Sequence, residues 1–221
     1  MDKARLKAIR TLIFDYDGTL HDSRQNYIAA FKRAYRYLVA HQKAKPREWQ
    51  DDEITKWLGY SSKEMWENFM PDLAKEYQLA ASKLIGETLL EKVLLKEAKL
   101  YPEALETLDN LKSKGYNLIF LSNCSEAYMQ AHQEIFQLDC YFDEMYCSEQ
   151  FNFIPKHEIV TLIKSEWQEE YLVIGDRIHD LEIGHYHQLI TIGCTYGFGT
   201  KAEMQQSDIR INNIQELQEL L

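Results

Sequence analysis

Two acidic residues, Asp15 and Asp17, stand on either side of Tyr16, directly after the apolar run Thr11-Leu12-Ile13-Phe14 and just before Gly18. Comparable polar groups follow later apolar runs. Ser122 and Asn123 come after residues 117–121, and Asp176 and Asp180 after residues 171–174 and Gly175. Lys156 opens a helical pattern just upstream of that last run. Carboxylates gathered in one place repel one another, and without a compensating charge their pKa values rise. A hard divalent cation removes the conflict, and Mg²⁺ takes one or two carboxylates together with water and phosphate oxygens. The Ser122 hydroxyl, the Asn123 amide and backbone N–H, and the Lys156 ammonium are donors suited to phosphoryl oxygens. Acids and donors together fit one Mg²⁺–phosphate unit.

These groups can meet only if the segments carrying them lie side by side in one sheet. The runs 11–14, 117–121, 171–174 and 190–192 are apolar without polar alternation, as strands covered on both faces of a parallel sheet are. Helical patterns at 103–113, 125–136, 156–167 and 178–187 lie between the later runs, so the second half predicts a doubly wound α/β domain. In such a domain ligands bind at the carboxyl ends of the strands, where the acids and donors fall. Residues 207–211 are expected as a polar edge strand. Asn213 is expected to cap a final helix through Leu220.

Residues 23–97 break the alternation. Tyr27, Phe31, Ala34, Tyr35 and Leu38 share one helical face, and further helices are expected at 53–58, at 62–69 and from about Pro71 into the nineties. Pro46, Gly59 and Pro71 punctuate them. About 75 residues without a strand is too long for one crossover. The stretch 23–97 is therefore expected as an all-α domain inserted into a core formed by 1–22 and 98–221. Its two connections, near 22–24 and 98–102, should run side by side as a hinge.

Asp15-Tyr16-Asp17-Gly18-Thr19-Leu20 resembles the DxDGT motif of the haloacid dehalogenase-like superfamily. Ser122, Lys156 and Gly175-Asp176-Arg177-Ile178-His179-Asp180 match its second, third and fourth motifs in order. The resemblance covers almost the whole chain, with the helical insert matching the cap of phosphoglycolate phosphatase-like and β-phosphoglucomutase-like members. It implies a Rossmann-like core with an all-α cap, and a phosphatase in which Asp15 attacks phosphorus and Asp17 serves as general acid and base. It further implies Mg²⁺ held by the Asp15 carboxylate, the Asp17 carbonyl and Asp176, with Asp180 bonding from the neighbouring position. Thr19, Ser122, the Asn123 backbone and Lys156 would hold the phosphoryl oxygens. Three departures stand out: Lys156 lacks the proline that often follows it in this subclass, with Lys164 as the weaker candidate; Arg177 replaces a small hydroxyl residue; and Tyr16 replaces an aliphatic residue or Phe.

The 221-residue chain carries 25 Lys and Arg against 35 Asp and Glu, a net charge of −10, so nucleic acid and anionic membranes are not expected partners. A small phosphorylated metabolite remains open to it because a metal and a lysine reverse the field locally. Four cysteines without CxxC spacing, and no leader-like or membrane-length apolar run, predict free thiols and a cytoplasmic location. His179, His185 and His187 are read as surface residues, and Tyr60, Ser61 and Lys63 as a loop that could face substrate. Two other readings remain: a phosphomutase of the β-phosphoglucomutase type, and a receiver-like signalling domain, against which the insert and Asp17 both argue.

Overall fold

The computed structural model describes residues 3–164 and 170–221. Among them, β1 (Ile9–Phe14), β2 (Asn117–Ser122), β3 (Glu144–Cys147), β4 (Glu170–Gly175), β5 (Ile190–Cys194) and β6 (Ile209–Ile211) form one sheet. All neighbours pair in parallel, in the order β3-β2-β1-β4-β5-β6. The uninterrupted apolar runs are explained by which side each residue faces. Leu12, Phe14, Leu118, Phe120, Leu172 and Ile174 enter one core cluster, while the residues between them, Ile13, Ile119, Leu121, Tyr171 and Val173, enter another on the opposite face. Both faces are thus covered, and a one-residue slip in any of these strands would exchange its two sets.

Helices α6 (Ala104–Ser113), α7 (Glu126–Phe136), α8 (Lys156–Ile163) and α9 (Ile178–His187) connect the strands. Short helices α1 (Lys3–Ala8), α10 (Lys201–Met204) and α11 (Leu217–Leu220) complete the core. The helix expected at 156–167 is described only to Lys164; Trp167 lies outside the described residues. Asn213 caps the C-terminal segment as expected, its Oδ1 accepting the Glu216 N–H at 3.2 Å. Strand β3 was not expected: Glu144, Met145 and Tyr146 are only half-buried at the sheet edge and carry no continuous apolar run.

Between β1 and β2 stand α2 (Arg24–Ala40), α3 (Asp51–Thr55), α4 (Ser62–Phe69) and α5 (Lys75–Leu94). Tyr27, Phe31, Ala34 and Leu38 of α2 are buried together with Ile54, Trp57, Met65 and Trp66 in a cluster of their own, with Tyr35 packed at its margin. Two expected boundaries shift. The helix placed at 53–58 begins at Asp51, where Gln50 and Glu53 close a capping box, and unwinds into a turn after Thr55. The last helix starts at Lys75, because Pro71–Ala74 form a turn first. The two connections do lie side by side: His21 bridges Leu100, Asp22 N donates to Lys99 O at 2.9 Å, and Tyr101 N to Leu20 O at 2.8 Å. No helix among the described residues is long and apolar enough to cross a membrane, and all four cysteines are unpaired.

Candidate active site

The strand order reverses between β1 and β4, and this is where a parallel sheet leaves a crevice at its carboxyl edge. Asp15 directly follows β1 and Asp176 directly follows β4, so chain topology brings them together. Asp15, Asp176 and Asp180 are all buried, and each offers an oxygen within 4.8 Å of the others. Lys156, at the start of α8 and only 4% exposed, closes the group. Its Nζ donates to Asp15 Oδ1 and Asp180 Oδ1, each at 2.6 Å. Lys164, the weaker candidate, lies over the Tyr171 ring instead, with Nζ 5.5 Å from its centroid.

The remaining bonds assign an environment to each acid. Thr19 Oγ1 donates to Asp15 Oδ2 at 3.2 Å, so this buried hydroxyl braces the carboxylate across the turn. Asp180 Oδ2 accepts the Arg177 backbone N–H at 3.0 Å, which leaves both Asp180 oxygens hydrogen-bonded within the protein. Asp176 differs. Oδ2 accepts the Phe198 N–H at 2.5 Å, while Oδ1 is buried with no hydrogen-bond partner among the described residues. A buried anionic oxygen without a donor is costly unless a cation satisfies it. An all-oxygen donor set containing such an atom fits a hard divalent ion.

Electrostatics carries the same message. Burial, followed by repulsion from Asp180, pushes the Asp15 carboxyl up to about 7, even with Lys156 alongside. Burial likewise raises Asp176 well above the usual carboxylate range, with Asp15 and Asp180 adding to it. Burial works against the Lys156 ammonium, but Asp15 and Asp180 outweigh it and hold its pKa above the ordinary value. The acids carry more negative charge than one lysine balances.

The Asp17 carboxylate stands apart from this cluster. Its Oδ1 lies 2.7 Å from His21 Nδ1 and accepts the Tyr128 hydroxyl at 3.0 Å. Burial alone would raise its pKa, yet the hydrogen bond and charge of His21, with Tyr128, hold it below the usual value. Tyr16 runs behind this pair, stacked 5.4 Å from His21 and with its hydroxyl 2.6 Å from His132 Nδ1. That partner explains how a tyrosine is accommodated in a fully buried position. His21, Tyr128 and His132 were not anticipated. The signal for the last two, an i, i+4 pair on α7, acquires meaning only when α7 is folded against the turn after β1.

Ser122 lies buried at the end of β2, and Asn123 Nδ2 donates to the Gly59 carbonyl at 3.2 Å, so its side chain reaches the helical insert rather than the acids. Arg177, the departure in the fourth motif, is buried. It is 4% exposed, and its guanidinium engages Glu203 and the loop between α3 and α4. His179 is also not a surface residue: its ring meets Tyr60 edge-on at 5.1 Å, whereas His185 is exposed. Ser61 caps α4 and Lys63 is exposed, which leaves Tyr60 as the member of that loop facing the core.

Comparison with known proteins places the chain among phosphatases of one fold. The chain is 28% identical over 217 residues to the phosphoglycolate phosphatase of Aquifex aeolicus, covering 96% of this chain and 97% of that one. It is 25% identical over 210 residues to the phosphoglycolate phosphatase of Haemophilus influenzae, covering 88% and 89%. A predicted phosphatase from Clostridium acetobutylicum has the same fold, with a TM-score of 0.83 at 22% identity over 96% of this chain and 97% of that one. The family profile of haloacid dehalogenase-like hydrolases matches residues 12–194, a span that starts within β1 and closes with β5, and the chain belongs to that family.

Proposed function

We propose that this protein is a Mg²⁺-dependent phosphatase that hydrolyses a small phosphate monoester through a phosphorylated Asp15, with residues 23–97 acting as a cap over the site. The observation that carries the reading is the buried cluster of Asp15, Asp176 and Asp180, in which Lys156 bridges Asp15 and Asp180 and Asp176 Oδ1 has no hydrogen-bond partner among the described residues. Asp15 and Asp176 would hold the ion together with the Asp17 carbonyl, and Asp180 would orient Lys156 from behind. Bound there, the cation supplies positive charge against the negative charge of the phosphoryl group.

The chain's own groups account for the rest. A carboxylate oxygen of Asp15 forms the bond to phosphorus, and the bond from phosphorus to the ester oxygen breaks. Asp17, which His21 and Tyr128 hold ionised in the resting protein, takes up the proton of the monoanionic ester and passes it to the leaving oxygen. In the second half, Asp17 takes a proton from water as its oxygen attacks the same phosphorus, which releases inorganic phosphate and restores Asp15. Lys156 lowers the cost of approach between anions. Two unit charges at ~4 Å repel by about 4 kcal/mol at an effective dielectric of ~20, a barrier worth nearly a factor of a thousand in rate. The Ser122 hydroxyl and the Asn123 backbone lie at the same edge as donors to phosphoryl oxygens.

The phosphoglycolate phosphatases to which the chain is similar make 2-phosphoglycolate the first substrate to assay. The test compares wild type and Asp15→Asn on a panel of small phosphate esters, with Mg²⁺ and with a chelator. Wild type should hydrolyse at least one ester only when Mg²⁺ is present, and Asp15→Asn should lose at least about a thousandfold in kcat. Full activity in Asp15→Asn would overturn the nucleophile assignment.

A further inference from the structure

The loop between α3 and α4 is gripped by side chains of the core. Arg177 Nη1 donates to the Leu58 carbonyl and, at 3.4 Å, to that of Lys56, while Nε donates to Glu203 Oε1 at 3.1 Å. Its guanidinium carbon lies 4.7 Å from the centre of the Tyr60 ring, whose other contact from the core is His179. The loop is shaped around this side chain. Gly59 has φ +84°, where a side chain is strained, and a Cβ there would stand 2.5 Å from Arg177 Cγ. At its other end Arg177 is tied to the acid cluster, since its own N–H donates to Asp180 Oδ2 and it directly follows Asp176. Glu203, which fixes the guanidinium, is in turn held by the Thr200 and Ile178 N–H groups.

We propose that Arg177 is a positioning residue that latches the 56–60 loop of the helical insert onto the core, and that this latch sets the size of ester the site accepts. The proposal rests on the phosphatase reading only for its second half. The latch engages main-chain carbonyls, so it fixes where the loop's backbone lies irrespective of the side chains the loop displays. Asn123 Nδ2 donates to the Gly59 carbonyl of the same loop at 3.2 Å, so the docked loop reaches both the β2 and the β4 side of the crevice; held there it would close over a compact ester, whereas an ester with a bulky leaving group would require it to lift. Lysine does not substitute for arginine here, because the grip on two carbonyls, a carboxylate and a ring face uses the planar fork of a guanidinium.

The test uses full-length Arg177→Met and Arg177→Lys, both checked for an intact unfolding transition. Backbone hydrogen exchange of amides 57–61 should speed up by about tenfold or more, the change expected on losing two hydrogen bonds from a charged donor. In the same variants kcat/KM for 2-phosphoglycolate should fall by about tenfold or more, mainly through KM, while that for p-nitrophenyl phosphate changes by less than about twofold. Glu203→Gln, which weakens the guanidinium's anchor from the far side, should shift both readouts in the same direction. Unchanged exchange at 57–61 overturns the latch, and an equal loss on both esters reduces Arg177 to a structural role and overturns the size selection. If wild type hydrolyses neither ester, the phosphatase reading fails for these substrates, and the exchange measurement still decides the latch by itself.

Discussion

A lysine held 2.6 Å from each of two buried carboxylates cannot be removed without leaving charge uncompensated. Lys156→Met should therefore destabilise the protein by roughly 3–5 kcal/mol. On the proposed mechanism it also removes the cation beside Asp15, and kcat/KM should fall by at least about a hundredfold. Urea unfolding and steady-state kinetics check the two effects separately. Protonation provides a second test at this scale. Asp15 is raised to about 7 in the folded protein, so the folded state holds a proton that the unfolded chain has lost, and its contribution to stability declines as pH rises from about 4 toward 7 and just beyond. His132 acts with the opposite sign. Burial lowers it to about 3, so its contribution is lost as pH falls from about 6.5 toward 3. Between about pH 6.5 and 8 His132 has ceased to titrate and the raised carboxylates drive the change, so the metal-free protein should lose melting temperature across that interval, with a slope of up to about 1.4 kcal/mol per pH unit for each proton. Saturating Mg²⁺ binds the ionised carboxylates and should flatten the slope. An equal slope with and without Mg²⁺ would mean that the ion does not sit on Asp15 and Asp176. The acids and Lys156 were legible from the sequence because each sits at a strand or helix end whose position is set by local pattern. The partners of Asp17 were not: Tyr128 lies 111 residues away, and no local periodicity links the two.

Elements deliver these residues, and their ends are the sensitive points. Helix α7 carries Tyr128 and His132 to Asp17 and begins at Ser125, whose hydroxyl accepts the Tyr128 N–H at 3.3 Å. Ser125→Ala should cost about 1 kcal/mol, read as a shift in urea midpoint with an unchanged slope. A midpoint equal to wild type would mean that water caps the helix equally well. Strands β1, β2, β4 and β5 were readable because burial on both faces favours a short apolar run without polar alternation, broken in β1 and β5 by the buried Thr11 and Thr191. At the edge, β3 keeps polar and half-buried residues, so the same logic loses it. The helices of residues 23–97 were readable as helices, yet the unwinding after Thr55 and the turn before Lys75 depend on how the loop meets Arg177 and on Pro71. The first lies where a tertiary contact forms and the second where a proline-led turn delays the helix, and hydrophobic periodicity registers neither.

At the scale of the whole molecule, two kinds of core coexist. The sheet is sandwiched between its two apolar clusters, while α2 to α5 enclose a separate one rich in aromatic rings, to which the core lends Phe198 from the loop that also binds Asp176. Phe31 is 2% exposed at the centre of that aromatic cluster, and Phe31→Ala should cost roughly 3–5 kcal/mol. Calorimetry should show the loss as a lowered or broadened transition, and an unchanged melting profile would mean that the cluster contributes little to global stability. The net charge of −10 does not conflict with the proposed anionic ligand, because Lys156 lies within the site while the charge of the remote surface is screened. The short ladder formed by His21 with Leu100, Asp22 with Lys99 and Leu20 with Tyr101 leaves the points of departure and return of the insert adjacent. An excision there needs only a tight reverse turn to rejoin the chain, and a foreign helical module with closely spaced termini could be grafted at the same seam without re-routing a single strand of the sheet.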